Sequence, residues 1–274
     1  MHAMSSPVNS ARRPVGDLLR DWRQRRRLSQ LELASDAEVS TRHLSYLETG
    51  RALPSRAMLL RLAERLEVPL RERNALLTAA GYAPMYAQRA LDDPALAAAR
   101  AAVDLVLAGH EPHPALAVDR QWMLVTYNRV VPLMLQGLPP QLLEPPVNVL
   151  RLSLHPQGLA PRIVNLADWR AHLFARLARD IELSGDAQLA ALRDELLAMP
   201  APPEAVAQAD RPGVVVPLQL RQPDGSVWSF ISTTTVFGTP LDVTVAELAI
   251  ESFFPADAAT AAALRALAPS KKTA

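Results

Sequence analysis

The chain has 274 residues, of which 49% are hydrophobic and 21% charged, enough to bury a sizeable core. It contains no cysteine, which excludes disulfide scaffolds, thiolate metal sites and thiol catalysis. No apolar run approaches the roughly 18 residues of a membrane-spanning helix, and residues 1–10 lack the apolar core of a signal peptide, so a cytoplasmic protein without membrane insertion is expected. The net charge of +1 conceals an asymmetry: residues 1–90 carry 15 Arg against 9 acids, whereas residues 91–274 carry 14 Lys plus Arg against 19 acids. A basic first half points to a polyanionic partner such as nucleic acid. The opposite sign of the second half suggests a separate task.

The first ninety residues read as five short helices. Pro14 stands where a helix can begin without losing a hydrogen bond. Beyond it Val15, Leu18, Leu19 and Trp22 share one face, with Arg20, Arg23, Arg25, Arg26 and Arg27 elsewhere. A second helix opens at Ser29, where Ser29 and Glu32 make a capping box with Leu28 and Leu33 at the staple positions. A third opens at Ser40 and stops at Gly50; a fourth follows Pro54-Ser55; a fifth covers residues 70–80 and stops at Gly81. The short connection Ala37-Glu38-Val39 fits a helix-turn-helix.

The stretch Leu28-Ser29-Gln30-Leu31-Glu32-Leu33-Ala34, followed by Val39-Ser40-Thr41-Arg42-His43-Leu44-Ser45-Tyr46-Leu47-Glu48-Thr49-Gly50-Arg51, resembles the XRE family of phage-repressor-type DNA-binding domains. The resemblance covers residues 14–80 and implies that the second helix of the motif enters the major groove. Its first turns begin at the capping Ser40 and expose Thr41, Arg42, Ser45 and Tyr46, with Arg42 the first choice for bidentate recognition of guanine. Gln30 matches the family's phosphate-contacting glutamine, and Arg23, Arg51 and Arg56 lie where the family places contacts to the DNA backbone or minor groove. Leu31, Leu44 and Leu47 read as core and Glu48 as structural, while Arg25, Arg26 and Arg27 are equally well a solvated charged face.

After Gly81 the pattern changes, and a boundary near residue 90 divides a DNA-binding domain, 12–90, from a second domain, 91–270. There the expected elements are a helix over 95–108, strands at 115–118 and 123–127, and a helical piece over 128–136. A proline-rich loop follows, then amphipathic helices over 166–183 and 186–199 and a second proline-rich connection holding Pro200, Pro202 and Pro203. Residues 214–220 and 227–236 read as a hairpin around Gln222-Pro223-Asp224-Gly225. Residues 241–254 are ambiguous between strand and helix, and their β-branched start favours strand. Asp257 caps a final helix to residue 267, and Ser270-Lys271-Lys272 is a frayed tail. Two strands, several helices and three more strands make an antiparallel sheet with helices on one side, so the whole is an α+β two-domain protein. Such a sheet can enclose an apolar cavity.

The segment Phe230-Ile231-Ser232-Thr233-Thr234-Thr235-Val236-Phe237-Gly238-Thr239-Pro240-Leu241-Asp242-Val243, and then Ile250-Glu251-Ser252-Phe253-Phe254-Pro255-Ala256-Asp257, resembles the C-terminal domain of MmyB-like transcription regulators. Trp122 to Asn128 and Leu154-His155-Pro156 fit the same family, and the likeness runs over residues 95–267. It implies a PAS-like ligand-binding domain and, as ligand, a fatty-acid-like molecule. Candidate pocket residues are Trp122, Leu124, Tyr127, Phe174, Trp228, Phe230, Thr233, Thr235 and Phe237, each equally readable as ordinary core. Arg170, His155 and Asn128 are candidates for an acidic head group, although Asn128 is also placed to cap the next helix.

The His110-Glu111-Pro112-His113 run lacks both helical spacing and a third ligand for a metal, and neither a phosphate-cradling glycine loop nor a nucleophile elbow accompanies the Ser232 to Thr235 run. No cofactor and no enzymatic activity are expected. The sequence thus points to a regulator that binds a double-stranded DNA operator as a homodimer and senses a small apolar or amphipathic molecule. The rival reading is a constitutive DNA-binding repressor whose second domain serves only for dimerisation or protein docking.

Overall fold

The computed structural model describes residues 13–200 and 215–267. The chain divides into two compact units, Met1–Ala87 and Gln88–Ala274.

The first unit holds α1 (Val15–Arg25), α2 (Gln30–Asp36), α3 (Thr41–Glu48), α4 (Arg56–Arg65) and α5 (Leu70–Ala79). The helices start where the sequence supplies a partner for their unpaired amides. Ser29 Oγ accepts from Glu32 N at 3.1 Å while Ser29 N donates to the Glu32 carboxylate at 2.6 Å, closing the capping box of α2. Ser40 and Ser55 cap α3 and α4 by accepting from His43 N and Met58 N. Between α2 and α3 the chain turns at Glu38, held at a left-handed φ of 55°. The apolar faces meet in a core of leucines with Val15, Trp22 and Ala34, in which Leu19, Leu33, Leu44, Leu47 and Leu62 are fully buried. Gly16 lets α1 cross α3 at backbone contact, since a Cβ there would lie 2.3 Å from Leu47 O.

The second unit is built on an antiparallel five-stranded sheet in the order β2-β1-β5-β4-β3, with β1 (Ala115–Val118), β2 (Leu124–Tyr127), β3 (Leu218–Arg221), β4 (Val227–Val236) and β5 (Ala249–Pro255). Strand alternation gives the sheet two apolar faces. Leu116, Val118, Phe253 and Phe230 pack into a core with α8 (Val149–Leu154), α9 (Leu166–Ser184) and α10 (Ala187–Ala198). Ala115, Ala117 and Ile250 pack instead against Val103 and Leu107 of α6 (Ala97–Gly109). Helices therefore cover both faces, not one as the element order suggested. The small side chains Ala115 and Ala117 leave room for α6 to lie close.

Other expectations need correction. Residues 128–136 form only the single turn α7 (Val131–Met134). Residues 241–254 are not one strand: Asp242 Oδ1 accepts from Thr244 N at 2.9 Å and starts the turn α11 (Val243–Ala246) before β5 begins. Strand β3 starts at Leu218, later than residue 214, and Pro217 before it turns its carbonyl away from β4 to accept from Asn165 Nδ2 at 2.8 Å. In consequence β3 pairs only with Val227 to Phe230, and β4 from Ile231 to Val236 pairs with β5 alone among the described strands. The helix α12 (Ala258–Leu267) follows, with Asp257 accepting from Thr260 N as expected. Pro202, Pro203 and the 270–272 tail lie outside the described residues.

Candidate functional site

In the first unit, the capped start of α3 projects Arg42 into solvent with Thr41, Ser45 and Tyr46 half-buried beside it. Arg42 Nε donates to the Tyr46 hydroxyl at 3.1 Å, and the guanidiniums of Arg42 and Arg51 lie 5.4 Å and 5.8 Å from the Tyr46 ring centroid. The ring thereby holds two cations together at the exposed end of the motif. Arg56, the first residue of α4, is exposed. The Ser40 hydroxyl accepts from His43 N at 3.1 Å and so fixes the start of α3.

Glu48 organises the other half of the surface. Its side chain is fully buried, and it accepts from Arg23 Nε at 2.7 Å, Arg23 Nη2 at 2.9 Å and Gln30 Nε2 at 2.8 Å. Burial pushes its carboxyl pKa up, but the hydrogen bonds from Arg23 and Gln30 and the charges of Arg23 and Arg20 outweigh this and hold it below the usual range. Arg23 also donates to Leu28 O at 2.8 Å and its side chain is 12% exposed. That geometry makes Arg23 an internal brace and corrects its expected place among the DNA contacts. Gln30 stays half-exposed at the start of α2, with its amide oriented by Glu48. Arg25 and Arg26 lie against Trp22, and Arg26 Nε also donates to Leu66 O, so Arg26 is more than a solvated charge.

In the second unit a cavity of about 90 Å³ lies between the sheet and helices α7 to α9. Leu116, Leu124 and Phe253 line the sheet side; Met134, Leu150, Trp169 and Leu173 line the helical side. Its polar groups are few. Ser153 Oγ accepts from the Trp169 indole at 3.0 Å. Arg176 donates twice to Glu251, at 2.8 Å and 2.6 Å, and once to Thr234 Oγ1 at 2.7 Å. The Arg176 guanidinium stands 4.4 Å from the centroid of Trp122. Trp122 itself has a left-handed φ of 63° in a turn braced by Asp119, whose carboxylate accepts from Gln121 N and Met123 N at 2.9 Å. Such a backbone costs about 1–3 kcal/mol and is kept where surrounding structure enforces it.

Of the candidate pocket residues, Trp122 and Leu124 line the cavity. Tyr127, Asn128, His155, Arg170, Phe174, Trp228, Phe230, Thr233, Thr235 and Phe237 do not. Asn128 is buried in a structural role, donating to Leu107 O and His113 O and accepting from Ala115 N. Arg170 rests on the Phe174 ring and donates to the carbonyls that end α10. His155 caps the end of α8, its Nδ1 accepting from Gln157 N. Phe230 is fully buried core, and Thr233 and Thr235 are exposed. Sequence reasoning missed Trp169, Leu173 and Arg176, although their i, i+4, i+7 spacing puts all three on one face of α9.

A capped, cation-bearing helix-turn-helix followed by an α+β domain with an apolar cavity defines a two-domain regulator that couples nucleic-acid binding to a small-molecule domain. Residues 14–76 match a helix-turn-helix domain model, and residues 99–267 match the model of the MmyB-like transcription regulator ligand binding domain. The second match spans more than half of the chain, and the chain belongs to that family. No match is found among the curated proteins. No helix among the described residues is long and apolar enough to cross a membrane.

Proposed function

We propose that the protein acts in the cytoplasm as a homodimeric regulator: the 12–90 domain reads a DNA operator, and the 91–270 domain senses a small apolar or amphipathic molecule. Arg42, Thr41, Ser45 and Tyr46 read bases; Gln30, Arg51 and Arg56 meet the backbone. One recognition helix reads only a few base pairs, so two half-sites about one helical turn, or 34–36 Å, apart are expected. Ligand acts by favouring one dimer arrangement over the other, and a coupling of about 1–3 kcal/mol shifts operator affinity roughly 5- to 150-fold.

The observation that carries the sensing half is the apolar cavity in the unit that matches the ligand-binding model. A cavity favours a sensor over a pure docking module, whose core would be filled. At about 90 Å³ it is smaller than the roughly 300–1,000 Å³ of established ligand pockets. A fatty-acid-like chain therefore fits only if the cavity enlarges by displacement of its wall. Native mass spectrometry of the full-length protein tests the dimer and the sensing half of the reading. A dimer retaining a few hundred daltons of extra mass per chain supports it. A dimer that stays free of added mass on incubation with a panel of lipophilic small molecules favours the docking reading.

A further inference from the structure

Tyr46 gathers two exposed arginines of the first unit, and the backbone puts both beside it. Arg42 stands four residues earlier, one turn back on the same face of α3. Arg51 is returned by the way α3 ends. Gly50 takes a positive φ of 72°, Gly50 N donates to Leu47 O at 3.2 Å, and Arg51 N donates to Tyr46 O at 2.9 Å. In this type of glycine stop the residue after the glycine folds back over the last turn. Arg20 and Arg23 are claimed by Glu48, and Arg13 by Asp21, whereas neither Arg42 nor Arg51 meets a carboxylate among the described residues. The hydrogen bond to Tyr46 also decides which edge of Arg42 is left over. A guanidinium can grip a pair of acceptors through Nε and one Nη, or through both Nη groups. Arg42 Nε is taken up by the Tyr46 hydroxyl at 3.1 Å, so the two Nη groups remain for a partner outside the chain.

We propose that Tyr46 is the positioning residue of DNA reading: its hydroxyl turns the Nη edge of Arg42 toward a guanine, and its ring holds Arg51 in place for a phosphate. The inference rests on α3 being the base-reading helix, and it gives Tyr46 its part in that reading through Arg42. The two Nη groups match the O6 and N7 acceptors of guanine. Without the hydroxyl, Arg42 turns about its long stem and meets guanine, other bases and phosphates with little distinction. Without the ring as well, the two guanidiniums lose the surface they share, and their like charges drive them apart.

The test begins with selection of the full-length protein on fully randomised DNA duplexes. The best duplex and its single-base variants are then titrated with wild type, Tyr46→Phe, Tyr46→Leu, Arg42→Ala and the double variant Arg42→Ala with Tyr46→Phe. Tyr46→Phe keeps the ring and should lower the preference for guanine at one position by about fivefold or more, with the salt dependence unchanged. Tyr46→Leu should in addition lower the slope of log affinity against log salt by about 1 per bound protomer, the worth of one phosphate contact. Adding Tyr46→Phe to Arg42→Ala should change base preference no further, a result that a merely structural tyrosine would not give. An unchanged guanine preference in Tyr46→Phe, an equal loss on every sequence, or additive losses in the double variant overturns the positioning role and leaves α3 as the reading helix. Failure of wild type to enrich any duplex overturns that reading and the proposal with it.

Discussion

Glu48→Gln isolates the buried charge that braces the DNA-binding unit. The substitution keeps the shape of the side chain but removes the carboxylate from two Arg23 hydrogen bonds of 2.7 Å and 2.9 Å and turns a donor toward the guanidinium. Breaking one side of a buried pair costs about 3–5 kcal/mol. The lower end applies here, because Arg23 keeps Leu28 O as an acceptor and its side chain is 12% exposed to water. A loss of about 3 kcal/mol corresponds to amide exchange more than a hundredfold faster at the buried positions of α1 and α3. Hydrogen exchange is the assay of choice, since it reports this unit separately from the rest of the chain. The effect has a definite pH dependence. The Glu48 carboxyl is held below its unfolded value, so its contribution is present above the unfolded pKa near 4.3 and is lost as pH falls through the folded value. Wild type and variant should therefore converge in acid. A difference below about 0.5 kcal/mol at pH 7, the usual range of surface substitutions, would refute the brace, as would tighter DNA binding with unchanged stability.

Arg42→Ala should cost about 1–3 kcal/mol of operator binding and relax preference at one base position, measured by titration against single-base operator variants; equal loss on every sequence would make it a phosphate contact. Gly16→Ala forces a Cβ to 2.3 Å from Leu47 O and should destabilise the first unit by about 1–3 kcal/mol, read by the same exchange experiment. Arg120 bridges Asp186 and Glu247, so Arg120→Met should remove the cation that these two largely buried acids share, cost about 3–5 kcal/mol, and lower the calorimetric melting temperature of the second unit. Removal of residues 91–274 should weaken operator binding through loss of the dimer, and unchanged affinity in a mobility-shift titration would contradict that role.

The first unit was readable because its punctuation is local. Ser29, Ser40 and Ser55 satisfy amides three residues away, and Gly50 ends α3 with a positive φ of 72°, so each signal lies within one turn of its effect. The internal role of Arg23 was not readable, because the acid that claims it lies 25 residues on, and at that range an arginine for phosphate and one for Glu48 look alike. In the second unit, Asp242 starts a helical turn inside a run whose β-branched residues favour strand, and a side-chain cap overrides propensity there. The cavity was least legible. Its wall is assembled from all five strands and from α7, α8 and α9, so no window of sequence contains it. Arg176 went unnoticed for a related reason: on an amphipathic helix a lone arginine reads as the wet side, and only the register that sets Thr234 opposite Glu251 reveals its partners.

The short reach of β3 means that β4 is not one mechanical object. Its first three residues pair with β3 alone, and only the fully buried Phe230 pairs with both β3 and β5. From Ile231 onward the same strand leans on β5 alone among the described strands. Ser232 and Thr234, which belong to the cavity wall and its ion pair, fall in that second stretch. One strand thus carries two ladders that overlap only at Phe230, and each half fluctuates with its own single neighbour. Whatever enters or leaves the space behind Ser232 meets the half of the strand whose only strand partner is β5.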